Sequence, residues 1–431
     1  MKRKIISDLV NWKDNPRRKP LLVRGARQVG KTHSITEFGQ IYFNGNIHVL
    51  NFEKNPEIHS IFEYNLESKR IISELELVLN KKITAEKDLL FFDEIQECPK
   101  AIMSLRYFYE EIPKLHVIAA GSLLEFALKD ISFPVGRMQM LQMYPMNFEE
   151  YLIANGKDLW AEEITQAENQ LSDTVTELIN NEMYNYFIIG GMPECVSAFL
   201  STGSILEAIH IQTDLIATYR QDFSKYSGHA DKRCLNSVLS AVAQRTGEQI
   251  KYSKLDENYT NPTIRKAFEL LETARLFSKV RATSPAGMPL GASASEKKFK
   301  SVFLDIGLMS NFCGFYSDKT INKKRFTSAY KGKMAEQFVG QELRFTRDRE
   351  LYYWSRDARG STAETDYLIE KEGEIIPVEV KSGKSGRLTS LHLLMESFPN
   401  IKTAYVFTED KYGELHEKGI KFLPLFKTGS L

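Results

Sequence analysis

Four cysteines in 431 residues (Cys98, Cys195, Cys234 and Cys313), none of them in a C-x-x-C pair, leave no disulfide framework and no zinc ribbon to build on. The eight histidines contain no H-x-x-x-H, so a second metal pattern is missing as well. No apolar run approaches the roughly twenty residues that span a bilayer, and no membrane association is expected. The apolar stretch after Met1-Lys2-Arg3-Lys4 is broken by Ser7 and Asp8, too early for a signal-peptide core, which makes the cytoplasm the expected location. An excess of charge of one sign is lacking too. With 57 basic against 56 acidic residues the net charge is +1, so any nucleic-acid surface must be local. What remains is the 42% hydrophobic and 26% charged make-up of a globular chain, in a length that exceeds one ordinary core.

The most informative stretch present is Gly25-Ala26-Arg27-Gln28-Val29-Gly30-Lys31-Thr32. Leu21-Leu22-Val23 before it reads as a buried strand and Ser34 to Phe38 after it continues a helix, which is the setting a phosphate-binding loop requires. Backbone N–H groups of Gly25, Gln28, Val29, Gly30, Lys31 and Thr32 would cradle ATP phosphates at the helix N-terminus. Lys31 would reach the β- and γ-phosphates, and the Thr32 hydroxyl would ligate Mg²⁺. Further on, Leu89-Leu90-Phe91-Phe92 is an apolar strand that ends in Asp93-Glu94. Asp93 suits the Mg²⁺ and Glu94 suits the attacking water as its orienting group or base.

Ile47 to Phe52, Leu115 to Ser122 and Met138 to Met146 supply further strands, alternating with helices. The pattern predicts a three-layer parallel α/β sheet with its ligands at the carboxyl ends of the strands. Ser122 is then a candidate γ-phosphate sensor, with a helix-capping serine as the alternative. Arg137 is a candidate arginine finger within the chain or across an oligomer, with a surface arginine as the alternative.

The Gly25 to Thr32 loop, Leu89 to Glu94, Ala120-Gly121-Ser122 and Gly136-Arg137 through Tyr144-Pro145-Met146 together resemble prokaryotic AAA-type ATPases of the archaeal-ATPase-like group. The resemblance continues through Gly190-Gly191-Met192-Pro193-Glu194 into a C-terminal domain of unknown function. It implies an ATPase domain over residues 1–150 and a helical lid or connector over 151–230. Residues 231–285, three short helices with a strand and a Gly/Pro/Ser loop, suit a winged-helix-like connector that either reads a DNA groove or packs.

Residues 286–431 carry a second constellation. A helix over 333–347 contains Glu336, a strand follows at Leu351 to Ser355, and Thr365 to Glu370 faces Ile375 to Lys381 across the Glu372-Gly373 turn. Strand alternation puts Glu379 and Lys381 on one face, which is expected to point away from the apolar core. A helix over 387–397 and a strand at Thr403 to Thr408 complete the order αβββαβ. This looks like the PD-(D/E)XK nuclease superfamily, matched at Asp366, Glu379 and Lys381 and extended to Glu336, with Thr365 where the pattern has proline. Asp366, Glu379 and Glu336 would hold Mg²⁺ or Mn²⁺, and Lys381 would polarise the water or the scissile phosphate. The basic tracts Lys297-Lys298-Phe299-Lys300 and Lys323-Lys324-Arg325 lie nearby in sequence. The expectation is a Mg²⁺-dependent ATPase acting on or near DNA, with a nuclease-like domain. Its rival is an ATP-driven switch that recruits a protein partner and keeps that domain as an inert scaffold.

Overall fold

The unbroken apolar runs Leu21 to Val23 and Leu89 to Phe92 fold as strands buried on both faces, as members of a parallel sheet must be. A computed structural model of the chain describes residues 1–122, 124–127, 136–167, 169–226, 231–314, 328–347, 350–356, 363–382, 388–409 and 412–431. Two units result: unit 1, Met1–Pro145 with Thr273–Arg275, and unit 2, Met146–Glu272 with Leu276–Leu431. The Lys323-Lys324-Arg325 tract lies outside the described residues.

In unit 1, strands β1 (Leu21–Arg24), β2 (Ile47–Asn51), β3 (Leu89–Asp93), β4 (His116–Gly121) and β5 (Gln139–Gln142) form one parallel sheet in the order β2-β3-β4-β1-β5. Helices α1 (Ile5–Asp14), α2 (Lys31–Tyr42), α3 (His59–Tyr64), α4 (Ser68–Leu79), α5 (Pro99–Glu111) and α6 (Leu124–Ala127) alternate with the strands. α5 opens on Pro99, whose fixed φ and missing N–H suit the first helical position. Leu22, Phe52, Phe62, Phe92 and Leu105 are fully buried in the core, where Phe52, Phe62 and Phe92 meet edge to face. Because every strand runs the same way, the residues after β1, β3 and β4 share one edge of the sheet. A residue that precedes a strand lies at the other edge.

Unit 2 begins with five helices, α7 (Phe148–Ala154), α8 (Asp158–Ile164), α9 (Asp173–Ile189), α10 (Pro193–Thr202) and α11 (Ile205–Tyr226). α7 starts from a capping box of Asn147 and Glu150. Between α9 and α10, Gly190-Gly191 is more than a helix break. A Cβ on Gly191 would stand 1.8 Å from Met146 O, and the buried Asp305 accepts the Gly191 N–H at 2.6 Å.

α12 (Lys232–Gln244) and α13 (Asn261–Thr273) follow, and between them stands a single 3₁₀ turn, Tyr252–Lys254, in place of a second helix. β6 (Phe277–Ala282) and β7 (Phe299–Phe303) pair as an antiparallel hairpin. β6 also pairs with β8 (Tyr352–Ser355), so the strands on both sides of residue 285 belong to one sheet. That sheet adds β9 (Glu364–Lys371), β10 (Glu374–Val380), β11 (Ala404–Thr408), β12 (Gly413–Leu415) and β13 (Ile420–Pro424), in the order β12-β13-β11-β10-β9-β8-β6-β7. With α14 (Ile306–Phe312), α15 (Ser328–Arg347) and α16 (Thr389–Ser397), the chain from α15 to β11 runs αβββαβ. The β9–β10 hairpin turns at Glu372 and Gly373, both at positive φ (51° and 83°), as a two-residue turn of this hand demands. No helix of the described residues is long and apolar enough to cross a membrane.

Candidate functional site

The glycine loop sits between β1 and α2, and the positive φ of Gln28 (62°) and Gly30 (95°) curls it onto the first turn of the helix. Gly25 is required for a different reason: a Cβ there would stand 2.3 Å from Met143 O. The Lys31 ammonium, 7% exposed, donates to Gly25 O (3.0 Å) and Ala26 O (2.8 Å). Arg3, read from sequence only as part of a basic N-terminus, is buried and braces the loop from behind. Its guanidinium donates to Val29 O at 2.9 Å and to Tyr144 O at 2.7 Å.

Thr32 Oγ1 donates to Asp93 at 3.0 and 3.2 Å from its two oxygens, and Asn51 Nδ2 donates to the same carboxylate at 3.0 Å. Burial, then the charge of Glu94, push the Asp93 carboxyl above its ordinary range, against the hydrogen bonds of Thr32 and Asn51. A hydroxyl and a carboxylate side by side are the hard oxygen donors that Mg²⁺ prefers, so these residues fit that ion. Glu94 stands at φ 49°, and Gln96 Nε2 donates to its Oε2 at 2.7 Å. Ser122, 2% exposed, accepts from Arg27 Nε at 3.3 Å. The residues read from sequence in three separate stretches therefore meet at one edge of the sheet. Asn51 and Gln96 join them without a motif to announce them, and Arg27 joins from a variable position of the glycine loop.

Arg137 does not join them. It precedes β5, whose Gln139 is level with Leu21 at the start of β1, so it lies at the sheet edge away from the glycine loop. There it pairs with Glu110 of α5 at 3.3 Å, half exposed. The expected finger within the chain is corrected to a surface ion pair. Such pairs contribute little, so with no finger supplied across an oligomer Arg137→Ala is expected to leave ATP turnover within about twofold of the parent in a steady-state phosphate assay; a larger loss would point to the finger across an oligomer.

Burial lowers the Lys31 ammonium to about 8, with the charges of Glu94 and Asp93 opposing the shift. Only the protonated amine attracts phosphate, and above that value its fraction falls about tenfold per pH unit. ATP affinity should therefore weaken by about tenfold between pH 7 and pH 9 in a fluorescence titration. A Lys31→Arg chain, whose guanidinium stays charged, should show a flatter profile.

The second constellation gathers around a residue that sequence analysis assigned elsewhere. Lys300 on β7 is buried, and its Nζ lies 3.2 Å from Glu336, 3.2 Å from Glu364 and 3.8 Å from Asp366. It lies within β7, whose five residues are all buried, while Lys297 ahead of the strand stays exposed, so the tract is not one basic surface. The second Asp366 oxygen accepts the Val380 N–H at 2.7 Å, and Lys381 donates to Glu379 at 2.6 Å. Glu379 itself is only 5% exposed, which corrects the expectation that its face points outward. α15, which carries Glu336, packs against β7 and β10, and Tyr367 Oη donates to Glu336 O at 2.8 Å.

Burial holds the Glu336 and Glu379 carboxyls well above the usual carboxylate range. Burial would lower Lys300, but the charges of Glu336, Asp366 and Glu364 outweigh it and raise the group, which stays charged. Among the described residues no three His, Cys, Asp or Glu side chains form a group able to hold a metal ion. The Lys300 ammonium itself stands among Glu336, Glu364 and Asp366. The Mg²⁺ or Mn²⁺ site expected at Asp366, Glu379 and Glu336 is thus not what these residues form, and no step is derived through such an ion.

A family model described as an AAA domain matches residues 17–152. Two described as domains of unknown function, DUF8612 and DUF4143, match residues 180–319 and 331–427. No match was found among curated proteins. Among solved structures, a Walker-type ATPase of Pyrococcus abyssi is similar at 15% identity, over 72% of this chain and 95% of that one, with a TM-score of 0.45. The Aeropyrum pernix Orc1 protein in complex with DNA is similar at 12% identity over 72% and 91%, with a TM-score of 0.31. AMPPCP-bound DnaA from Aquifex aeolicus is similar at 12% identity over 63% and 87%, with a TM-score of 0.30. Residues 17–152 thus match an AAA-domain family and contain the P-loop described above.

Proposed function

We propose that this AAA-type domain binds ATP with Mg²⁺ and hydrolyses it, and that the cycle serves a conformational switch. The observation that carries the first part is the convergence of Lys31, Thr32, Asp93 and Glu94 at one sheet edge, with Thr32 and Asp93 in direct contact. Thr32 and Asp93 would hold Mg²⁺, which neutralises charge on the phosphate oxygens. Lys31 exchanges its bonds to Gly25 O and Ala26 O for phosphate oxygens. Glu94, steadied by Gln96, orients the attacking water and takes its proton, and Ser122 reaches the γ-phosphate side of the site beside Arg27.

Two tasks for this cycle were expected: action on or near DNA with a nuclease-like domain, and recruitment of a protein partner with that domain inert. The ammonium of Lys300 among the C-terminal carboxylates favours the second. Phosphate release over many turnovers, measured with and without duplex DNA, tests both parts. The switch reading predicts slow release that DNA leaves unchanged. Stimulation by DNA returns the first task, and release below one equivalent per chain rejects the ATPase.

A further inference from the structure

We infer that Lys300 is the resident cation of the C-terminal carboxylate cluster, standing in for a divalent metal, and that this single side chain keeps the αβββαβ domain metal-free. Three carboxylates, Glu336, Glu364 and Asp366, surround its ammonium at 3.2 to 3.8 Å, and the side chain is 2% exposed. Those carboxylates come from α15 and β9, while the lysine comes from β7 at the far edge of the same sheet. The amine also lies 5.1 Å from the ring centroid of the buried Tyr353, an aromatic face that further favours a cation there. A buried lysine is retained at such a place only if its charge is matched, and here it is matched several times over.

A second observation points to what the cluster would take if the lysine were gone. Glu379 Oε1 is bonded to Lys381, but Glu379 Oε2 is buried and accepts no hydrogen bond. Buried carboxylate oxygens are ordinarily paired, so this atom is a spare donor to a cation beside an already acidic cluster. Removing the ammonium would leave Glu336, Asp366 and Glu379 with one of these two cations, Lys381, which pairs with Glu379. As they stand around Lys300 these carboxylates form no metal-holding group, but with the ammonium gone they would be drawn together by a divalent ion such as Mn²⁺, which takes hard oxygen ligands. The inference concerns the C-terminal domain alone, and it stands whether or not the P-loop domain turns over ATP.

The test is Mn²⁺ binding by the nucleotide-free full chain, read by the loss of the free-ion signal in electron paramagnetic resonance. Parent protein is expected to show no binding that Asp366→Asn removes. Lys300→Met is expected to gain a further Mn²⁺ equivalent per chain, lost again when Asp366→Asn is added. Lys300→Arg, which keeps the charge, should gain none. Because Lys300→Met leaves buried carboxylates uncompensated, its thermal midpoint is followed alongside. Mn²⁺ should raise that midpoint while leaving the parent's unchanged. A parent site abolished by Asp366→Asn overturns the inference, as does a Lys300→Met chain that Mn²⁺ neither binds nor stabilises.

Discussion

Glu94→Gln is expected to bind ATP as tightly as the parent and to lose turnover by about 10²- to 10⁴-fold, the usual worth of a positioned general base. The amide keeps the size of the side chain and its contact with Gln96, which lies 2.7 Å from the carboxylate. What it loses is the capacity to take a proton and the negative charge beside Asp93. That charge is one of the causes that raise the Asp93 carboxyl, so its removal lets Asp93 ionise more readily and does not harm Mg²⁺ binding. The variant should therefore trap bound ATP. Equilibrium binding measured beside single-turnover hydrolysis checks this, and parent-like hydrolysis would remove Glu94 from the base's role.

Lys31→Ala should fail one step earlier. The ammonium donates to the glycine loop at Gly25 O and Ala26 O, and it is nearly all buried. Replacing it removes a charge-assisted bond to phosphate worth roughly 1.5 to 3 kcal/mol, or about ten- to a hundredfold in affinity. It also leaves two loop carbonyls without their donor, so the loop itself is expected to loosen. Calorimetric titration with ATP and Mg²⁺ should show weak or absent binding for this variant beside full binding for Glu94→Gln. The same affinity in both would mean that Lys31 does not touch the nucleotide.

The contrast between the two sites explains what a sequence of this kind discloses. Gly25 to Thr32 and Leu89 to Glu94 are contiguous, and each stretch carries its own chemistry and its own local geometry. A parallel sheet then has no choice but to align their ends. The same rule could have placed Arg137, since a residue before a parallel strand lies at the edge opposite to the loops. Its charge drew it to the wrong end. In the C-terminal domain, strand alternation correctly put Glu379 and Lys381 on one face. Which face α15 covers depends on packing between distant segments, and no local pattern reports it. Lys300 was hidden for the same reason. It sits within a run of basic residues that reads as solvated, and only the pairing of β6 with both β7 and β8 brings β7 into the sheet that holds Asp366. The winged-helix pattern lost its middle helix to a three-residue turn at Tyr252–Lys254, a length at which periodicity carries no signal.

A crystal of the full chain grown with a nonhydrolysable ATP analogue and Mn²⁺, with anomalous scattering used to locate the metal, tests both sites in one map. The account predicts a manganese peak beside Thr32 Oγ1 and Asp93, the analogue's β- and γ-phosphates against Lys31, and no peak among Glu336, Asp366 and Glu379. Manganese within that C-terminal cluster, or a nucleotide bound away from Lys31, would contradict it.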